Sequence, residues 1–158
     1  MDERPDSPRI PSMTEKPVNL DTMLCFAIHS AAHAIQRANK PLLDKLGLTY
    51  PQYLVMVVLW AEDNQTVGSL GDRLFLESST LTPLLKRLQA AGLVQRVRDA
   101  ADERQVRVQL TEQGRALAEK AKSLPGWYRQ TFCEKSENAE ALRENITRLR
   151  DSLIQKQE

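Results

Sequence analysis

Between Thr66 and Leu110 the spacing of apolar residues changes from a helical period to a period of two, and this restricts the fold of the chain more tightly than anything else in it. Thr66 precedes Val67, Leu70 and Leu74, which predicts a short helix ending near Phe75. After the turn Leu76-Glu77-Ser78, residues Leu81, Leu84, Leu85 and Leu88 fall at i, i+3, i+4 and i+7 and mark one face of a second helix that Gly92 ends. Two short helices joined by a tight turn, the second amphipathic, make a helix-turn-helix. Beyond Gly92, Val94, Arg96 and Arg98 alternate with Gln95 and Val97. Ala100-Ala101-Asp102-Glu103 forms a turn, and Val106, Val108 and Leu110 then alternate with Gln105, Arg107 and Gln109. The pattern predicts a two-stranded hairpin of about 17 residues. Directly after a helix-turn-helix, such a hairpin is a wing.

The flanking segments are helical. From about Asp21, Leu24, Ile28, Ala31 and Ile35 recur at spacings of four, three and four, and Cys25 and Phe26 widen the stripe. A helix this apolar on several sides is buried on several sides, which in a small protein implies a subunit interface. Pro41 is expected to bend or end it, and Gly47 to stop the stretch after Leu46. Thr49 can cap the next helix with Pro51 in its first turn, and Tyr53 to Trp60 is nearly all apolar, as a core segment requires. Thr111-Glu112-Gln113-Gly114 opens a helix that Pro125-Gly126 interrupts. The last helix carries Leu142, Ile146, Leu149 and Leu153 on one narrow stripe and needs a partner. The expectation is a mainly α, α+β winged helix-turn-helix. Residues 1–19, with Pro5, Pro8, Pro11 and Pro17, form a disordered arm. Residues 20–158 form one domain, with the winged helix-turn-helix at about 49–111 and dimerisation helices at 20–47 and 112–158.

The formal net charge is only +1, so a nucleic-acid reader of this composition must concentrate its cations locally. No apolar run approaches the roughly 20 residues of a membrane span, and no basic-then-apolar leader is present, which leads us to expect a cytoplasmic protein. The two cysteines, Cys25 and Cys133, are far apart in sequence and make no close zinc pattern, so metal and cofactor are set aside.

The second short helix presents a defined outer face. At about 100° per residue, Ser79, Pro83 and Lys86 lie opposite Leu81 and Leu88, with Thr80, Thr82 and Arg87 on the flanks. Hydroxyls near a helix start can reach base edges in the major groove, and the helix amides there favour phosphate. Pro83 fits if the helix starts near Ser79 or Thr80. The hairpin adds Arg96, Arg98, Arg104 and Arg107. Asp102, two residues before Arg104 at the tip, can hold its guanidinium. Arg104 held so can enter a minor groove; the alternative is a solvated wing with a local ion pair.

The helix order, the segment Leu81-Thr82-Pro83-Leu84-Leu85-Lys86-Arg87-Leu88 and the wing Asp102-Glu103-Arg104 resemble the MarR family of dimeric regulators. The stretches Leu24-Cys25-Phe26-Ala27, Lys40-Pro41-Leu42-Leu43-Asp44-Lys45-Leu46, Thr49-Tyr50-Pro51-Gln52-Tyr53 and Ser79 to Arg87 are similar to its OhrR branch, repressors that sense organic hydroperoxides. The resemblance covers roughly residues 20–155. It implies a homodimer built from the first and last helices and a pseudo-palindromic double-stranded operator. The recognition helix enters the major groove and a wing arginine the minor groove. It also implies that Cys25 is the peroxide sensor and that Cys133 condenses with its sulfenic acid across the dimer. In that branch tyrosines hydrogen-bond the sensing sulfur. Tyr50 matches one of them, whereas His29 and Asn39 stand at the positions of the two others.

Two other readings stand beside this one. The first is a regulator that binds a small hydrophobic ligand, with Cys25 inert as a small core residue. The second is a thiol peroxidase, which would need a recycling partner and which has no thioredoxin-like strand–helix pattern around the cysteine.

Overall fold

The chain was analysed as a computed structural model that describes residues 19–124 and 138–155. A 3-10 turn at Leu20–Thr22 leads into α1 (Leu24–Leu46), followed by α2 (Tyr50–Ala61), β1 (Gln65–Thr66), α3 (Val67–Leu74), α4 (Ser78–Ala90), β2 (Val94–Arg98), β3 (Val106–Leu110), α5 (Glu112–Ser123) and α6 (Ala139–Gln155). This is the expected mainly helical winged helix-turn-helix. The expected arm at residues 1–19, apart from Asn19, the break at Pro125-Gly126 and Cys133 lie outside the described residues.

The chain divides into two units, Met1–Ala34 and Ile35–Glu158. In the first, the Asn19 side chain caps the 3-10 turn by accepting the Asp21 N–H at 3.0 Å. None of residues 19–34 is buried, and Leu20, Met23, Leu24 and Phe26 are all exposed.

In the second unit α1 continues through Pro41 to Leu46, so the proline does not end the helix. Pro41 removes one backbone hydrogen bond, but Leu43 and Leu46 beyond it are buried in the core, and Lys40 pairs with Asp44 at 2.8 Å across it. The helix ends in a Schellman turn at Gly47, where φ is +69°: the Gly47 N–H donates to Asp44 O and the Leu48 N–H to Leu43 O, both at 3.1 Å. α4 ends in the same way at Gly92. α3 does so at Phe75, a left-handed position occupied here by an aromatic residue with φ +56°.

α2 starts as its sequence requires. Thr49 Oγ1 accepts the Gln52 N–H and the Gln52 side chain accepts the Thr49 N–H, a reciprocal cap, with Pro51 in the first turn. Its residues Tyr53, Val55, Met56 and Leu59 form the centre of a core shared with Leu70, Leu81, Leu85, Leu88, Val94 and Val108.

The sheet has three antiparallel strands in the order β1-β3-β2, one more than the expected hairpin. Val94 pairs with Leu110 and Arg98 with Val106, while Gln65 and Thr66 pair with Val108 and Arg107. β1 contains two polar residues and so carries no alternation from which a strand could be read. Asp63, just before it, accepts the Leu110 N–H at 2.8 Å and pairs with Arg115 at 2.8 Å, which ties the sheet to α5.

α5 is fastened to the end of α4. Thr111 Oγ1 accepts the Gly114 N–H at 3.0 Å and donates to Gly92 O at 2.6 Å, and the Thr111 N–H donates to Leu93 O at 3.1 Å. Trp60 Nε1 donates to Gly114 O at 2.9 Å. A Cβ on Gly114 would stand 2.1 Å from Leu93 O, a backbone atom that cannot move aside. Gly114→Ala is therefore expected to destabilise the fold by about 1–3 kcal/mol or more through overpacking. A denaturant titration with the midpoint unchanged from the parent would contradict this packing.

Candidate nucleic-acid interface and thiol site

α4 buries Leu81, Leu84, Leu85 and Leu88, and this stripe turns the opposite side of the helix outward. Ser79, Thr80, Lys86 and Arg87 are exposed and Thr82 is half-buried, so the five side chains singled out from the sequence share the outer face and its flank. The helix begins at Ser78, one residue before the expected start, which places Pro83 in the second turn. The buried stripe outweighs the single hydrogen bond the proline removes. The N-cap is Glu77, which makes no side-chain capping bond, and Ser79 Oγ lies 3.5 Å from its Oε2. A carboxylate therefore stands at the helix start beside the amides expected to favour phosphate. Arg96 Nε donates to Gln89 Oε1 at 2.6 Å and is held against the end of α4.

The wing is organised by two aspartates. Arg104 donates from Nε and its backbone N–H to Asp102 Oδ1 at 3.0 and 3.1 Å, and from a terminal nitrogen to Oδ2 at 3.3 Å. Its side chain is 91% exposed, so the guanidinium is oriented by Asp102 yet remains open to solvent at the tip. The Arg104 side-chain bond, then its backbone N–H and Gln105, hold the Asp102 carboxyl below its usual range. Asp99, which the sequence reading missed, is buried at the end of β2. Its Oδ1 accepts the Ala101 N–H at 2.7 Å and the Asp102 N–H at 3.2 Å, and its Oδ2 accepts Arg107 Nε. Arg107 also donates to Asn64 O at 2.8 Å, beside β1. The available signal was an aspartate two residues before a turn amide, an Asx-turn arrangement. The Ala101 N–H, followed by Arg107, holds the Asp99 carboxyl below its usual range.

Cys25 is the second residue of α1 and is exposed. One turn on, exposed His29 stands beside His33 with ring centroids 4.3 Å apart. Both histidines belong with Cys25 to the unit Met1–Ala34, whereas Asn39 and Tyr50 belong to Ile35–Glu158. Asn39 is buried and its Nδ2 donates to Ile35 O at 3.0 Å, within its own helix. Tyr50 opens α2, half-buried against the core. Tyr53 nearby is a core residue: burial, then Tyr50, pushes its phenol up to about 12, and its ring meets Trp60 edge-on at 5.8 Å. On α6, Leu142, Ile146 and Leu153 are exposed along one stripe, and the Arg150 guanidinium lies 4.0 Å over the Phe75 ring, another contact without a sequence signal. Among the described residues no three metal-ligating side chains gather, and no helix is long and apolar enough to cross a membrane.

Residues 37–121 match the family described as transcriptional regulator SarA/Rot. The chain is 50% identical over 143 residues to the HTH-type transcriptional regulator TtmR of Methylorubrum extorquens, covering 88% of this chain and 71% of that protein. It is 40% identical over 139 residues to the organic hydroperoxide resistance transcriptional regulator of Bacillus subtilis, covering 88% and 95%. The chain belongs to the MarR family, in its OhrR-like branch. Among solved structures it is similar to AbfR of Staphylococcus epidermidis, 35% identical with a TM-score of 0.68 over 86% of this chain and 94% of that one. Reduced AbfR bound to DNA gives a TM-score of 0.72 at 33% identity over 85% and 94%. The disulfide form of AbfR gives 0.58 at 34% over 82% and 91%. This OhrR-like chain is thus a transcriptional regulator.

The wing of an OhrR-like regulator is only as well ordered as the bonds at its base. Asp99→Ala should speed amide exchange at Ala101 and Asp102, whose N–H groups lose their acceptor. The carboxyl is held low in the folded state, so its contribution is fully present above the unfolded value of about 3.9 and is lost as pH falls through the lowered folded value. The stability gap between parent and variant should therefore narrow as the solution is acidified below that point. A gap that stayed constant down to the acid limit of folding would refute the pairing.

Proposed function

We propose that the chain is a homodimeric repressor that binds a pseudo-palindromic double-stranded operator while reduced and releases it when an organic hydroperoxide oxidises Cys25. The observation that carries this reading is the exposed Cys25 thiol in the first turn of a long helix, within a chain whose α4 and wing present an ordered outer face. The thiolate is the reactive form of a cysteine. The thiolate attacks a peroxide oxygen, the O–O bond breaks, an alcohol leaves after taking up a proton, and the sulfur becomes a sulfenic acid. The thiol of Cys133 of the partner subunit then attacks that sulfur, forming the disulfide and expelling water. His29, Tyr50 and Asn39 shape the surroundings of the sulfur. The reduced DNA-bound and disulfide forms of AbfR, both similar to this chain, support a redox switch of this kind. So does the hydroperoxide-resistance name of the Bacillus subtilis relative.

In this reading Ser79, Thr80 and Thr82 approach base edges, Lys86 and Arg87 the phosphates, and Arg104, oriented by Asp102, a minor groove. The exposed apolar stripes of α1 and α6 pair with those of a second copy, and the protein works in the cytoplasm without a membrane. Two recognition helices then meet half-sites about 34–36 Å apart, a spacing that a new disulfide, with Cα atoms within about 7 Å, can reset. No cofactor or turnover is required.

The deciding experiment is binding to the DNA upstream of the chain's own coding sequence, with and without cumene hydroperoxide. Cys25→Ser should keep its affinity and lose release, and Cys133→Ser should oxidise at Cys25 without a covalent dimer on non-reducing gels. Release persisting in Cys25→Ser would remove the redox reading and bring a ligand-responsive regulator forward. Arg104→Ala should weaken specific binding by about 1–3 kcal/mol, and Lys86→Ala should lower the salt dependence; parent-like binding by both would refute the docking. Sedimentation should give a dimer at micromolar concentration, and a stable monomer would rule out the paired stripes.

A further inference from the structure

Among the described residues two besides glycine hold a positive φ, Asn64 at +62° and Phe75 at +56°. Asparagine enters the left-handed region readily because its short amide bonds locally, whereas a bulky side chain there is an outlier held by its surroundings. Glycine would close the turn between α3 and α4 without that cost, as Gly47 and Gly92 close theirs. Burial does not explain the ring, because Phe75 is 54% exposed. One face of the ring is covered by the Arg150 guanidinium, 4.0 Å over its centroid. Arg150 belongs to α6, a helix with no buried residue. Among the described residues the hydrogen bonds and ion pairs of α6 side chains stay within the helix, that of Arg150 with Asp151 at 2.8 Å included. The stacked face of Arg150 is what reaches from this helix to the helix-turn-helix.

We infer that Phe75 and Arg150 are positioning residues: the guanidinium braces the aromatic that turns α3 into α4, and so sets the helix-turn-helix against α6. The inference rests on the reading proposed above, in which α4 faces DNA and α6 pairs with a second copy. The turn is stiff enough to carry the brace into α4. The Leu76 N–H donates to Gly71 O at 3.0 Å, and a Cβ on Gly71 would stand 2.8 Å from Leu76 O. α4 begins at Ser78, three residues after Phe75, and its buried leucines fix it to α2, α3 and the sheet, so the unit moves as one body. At about 100° per residue Arg150 lies about 70° around α6 from the centre of the stripe Leu142, Ile146, Leu149 and Leu153. A second copy on that stripe therefore leaves Arg150 its partner. In the dimer two such braces hold two recognition helices at the separation of two half-sites, about 34–36 Å.

Fluorescence anisotropy on the full-length reduced chain tests the brace with two duplexes: the DNA upstream of the coding sequence, and the same DNA cut to one half-site. A guanidinium stacked on a ring at an exposed position is worth about two- to fivefold in an equilibrium, and two per dimer multiply to about 5- to 30-fold. Arg150→Ala should lose that much affinity for the full duplex and none for the half-site, while remaining a dimer by sedimentation. Phe75→Gly should lose as much, yet unfold no more easily on heating than the parent, because glycine relieves the left-handed backbone. Phe75→Tyr keeps an aromatic face and should bind like the parent. The double variant should bind no more weakly than either single one. Parent-like binding of the full duplex by Arg150→Ala or Phe75→Gly would overturn the inference. So would additive losses, equal losses on the half-site, or an Arg150→Ala monomer. A parent that binds neither duplex would remove the DNA reading itself and this inference with it, so the two failures are told apart.

Discussion

Burial of the four leucines of α4 is the constraint on which the outer face of the helix-turn-helix depends. Leu81, Leu85 and Leu88 pack into a core shared with α2, α3 and the sheet, and Leu84 is buried as well. A fully buried leucine is worth roughly 1.5–3 kcal/mol, so rotating α4 by even a third of a turn would forfeit several times the energy of any surface contact. The rotation is therefore locked, and the outer face is set as a by-product. The axial position is locked too, because Phe75 and Gly92 close the turns on either side of the helix with the same pair of backbone bonds. Pro83 survives in the second turn under this constraint, as does Glu77 at the helix start.

The wing solves a different problem with charge rather than burial. A chain with a net charge of +1 cannot rely on a diffuse field to bring cations to a polyanion. Asp99 and Asp102 each spend a carboxylate to orient an arginine and a stretch of backbone. Asp99 works at the base of the wing, where Arg107 reaches on to Asn64 and so joins the hairpin to β1. Asp102 works at the tip and leaves Arg104 exposed. Local order replaces net charge.

What could be read in advance follows from what produces periodic signals. The cap of α2, the leucine stripe of α4 and the alternation of β2 and β3 all belong to short stretches of sequence, and each was legible. The third strand was not, because Gln65 and Thr66 acquire strand character only from partners about 40 residues away. Pro41 does not stop the helix, because Leu43 and Leu46 beyond it are buried in the core. Asp99 was overlooked beside the more conspicuous Asp102-Glu103-Arg104, although it is the more buried of the two wing aspartates. Of the residues expected around the sulfur, His29 shares a helix face with Cys25 by spacing alone, while the amide of buried Asn39 donates to Ile35 O.

The order of the sheet has one more consequence. β3 is central, β1 covers one of its sides with two residues, and β2 has a partner on one side only among the described residues. Its other side offers about 17 Å of unpaired backbone, enough to template a strand from another molecule. Arg96 and Arg98 line that strand, and Arg96 is tied back to Gln89. Two like charges on an incoming edge, brought against the same two on a neighbour, repel. The arginines along this strand thus disfavour edge-to-edge addition of one copy to another.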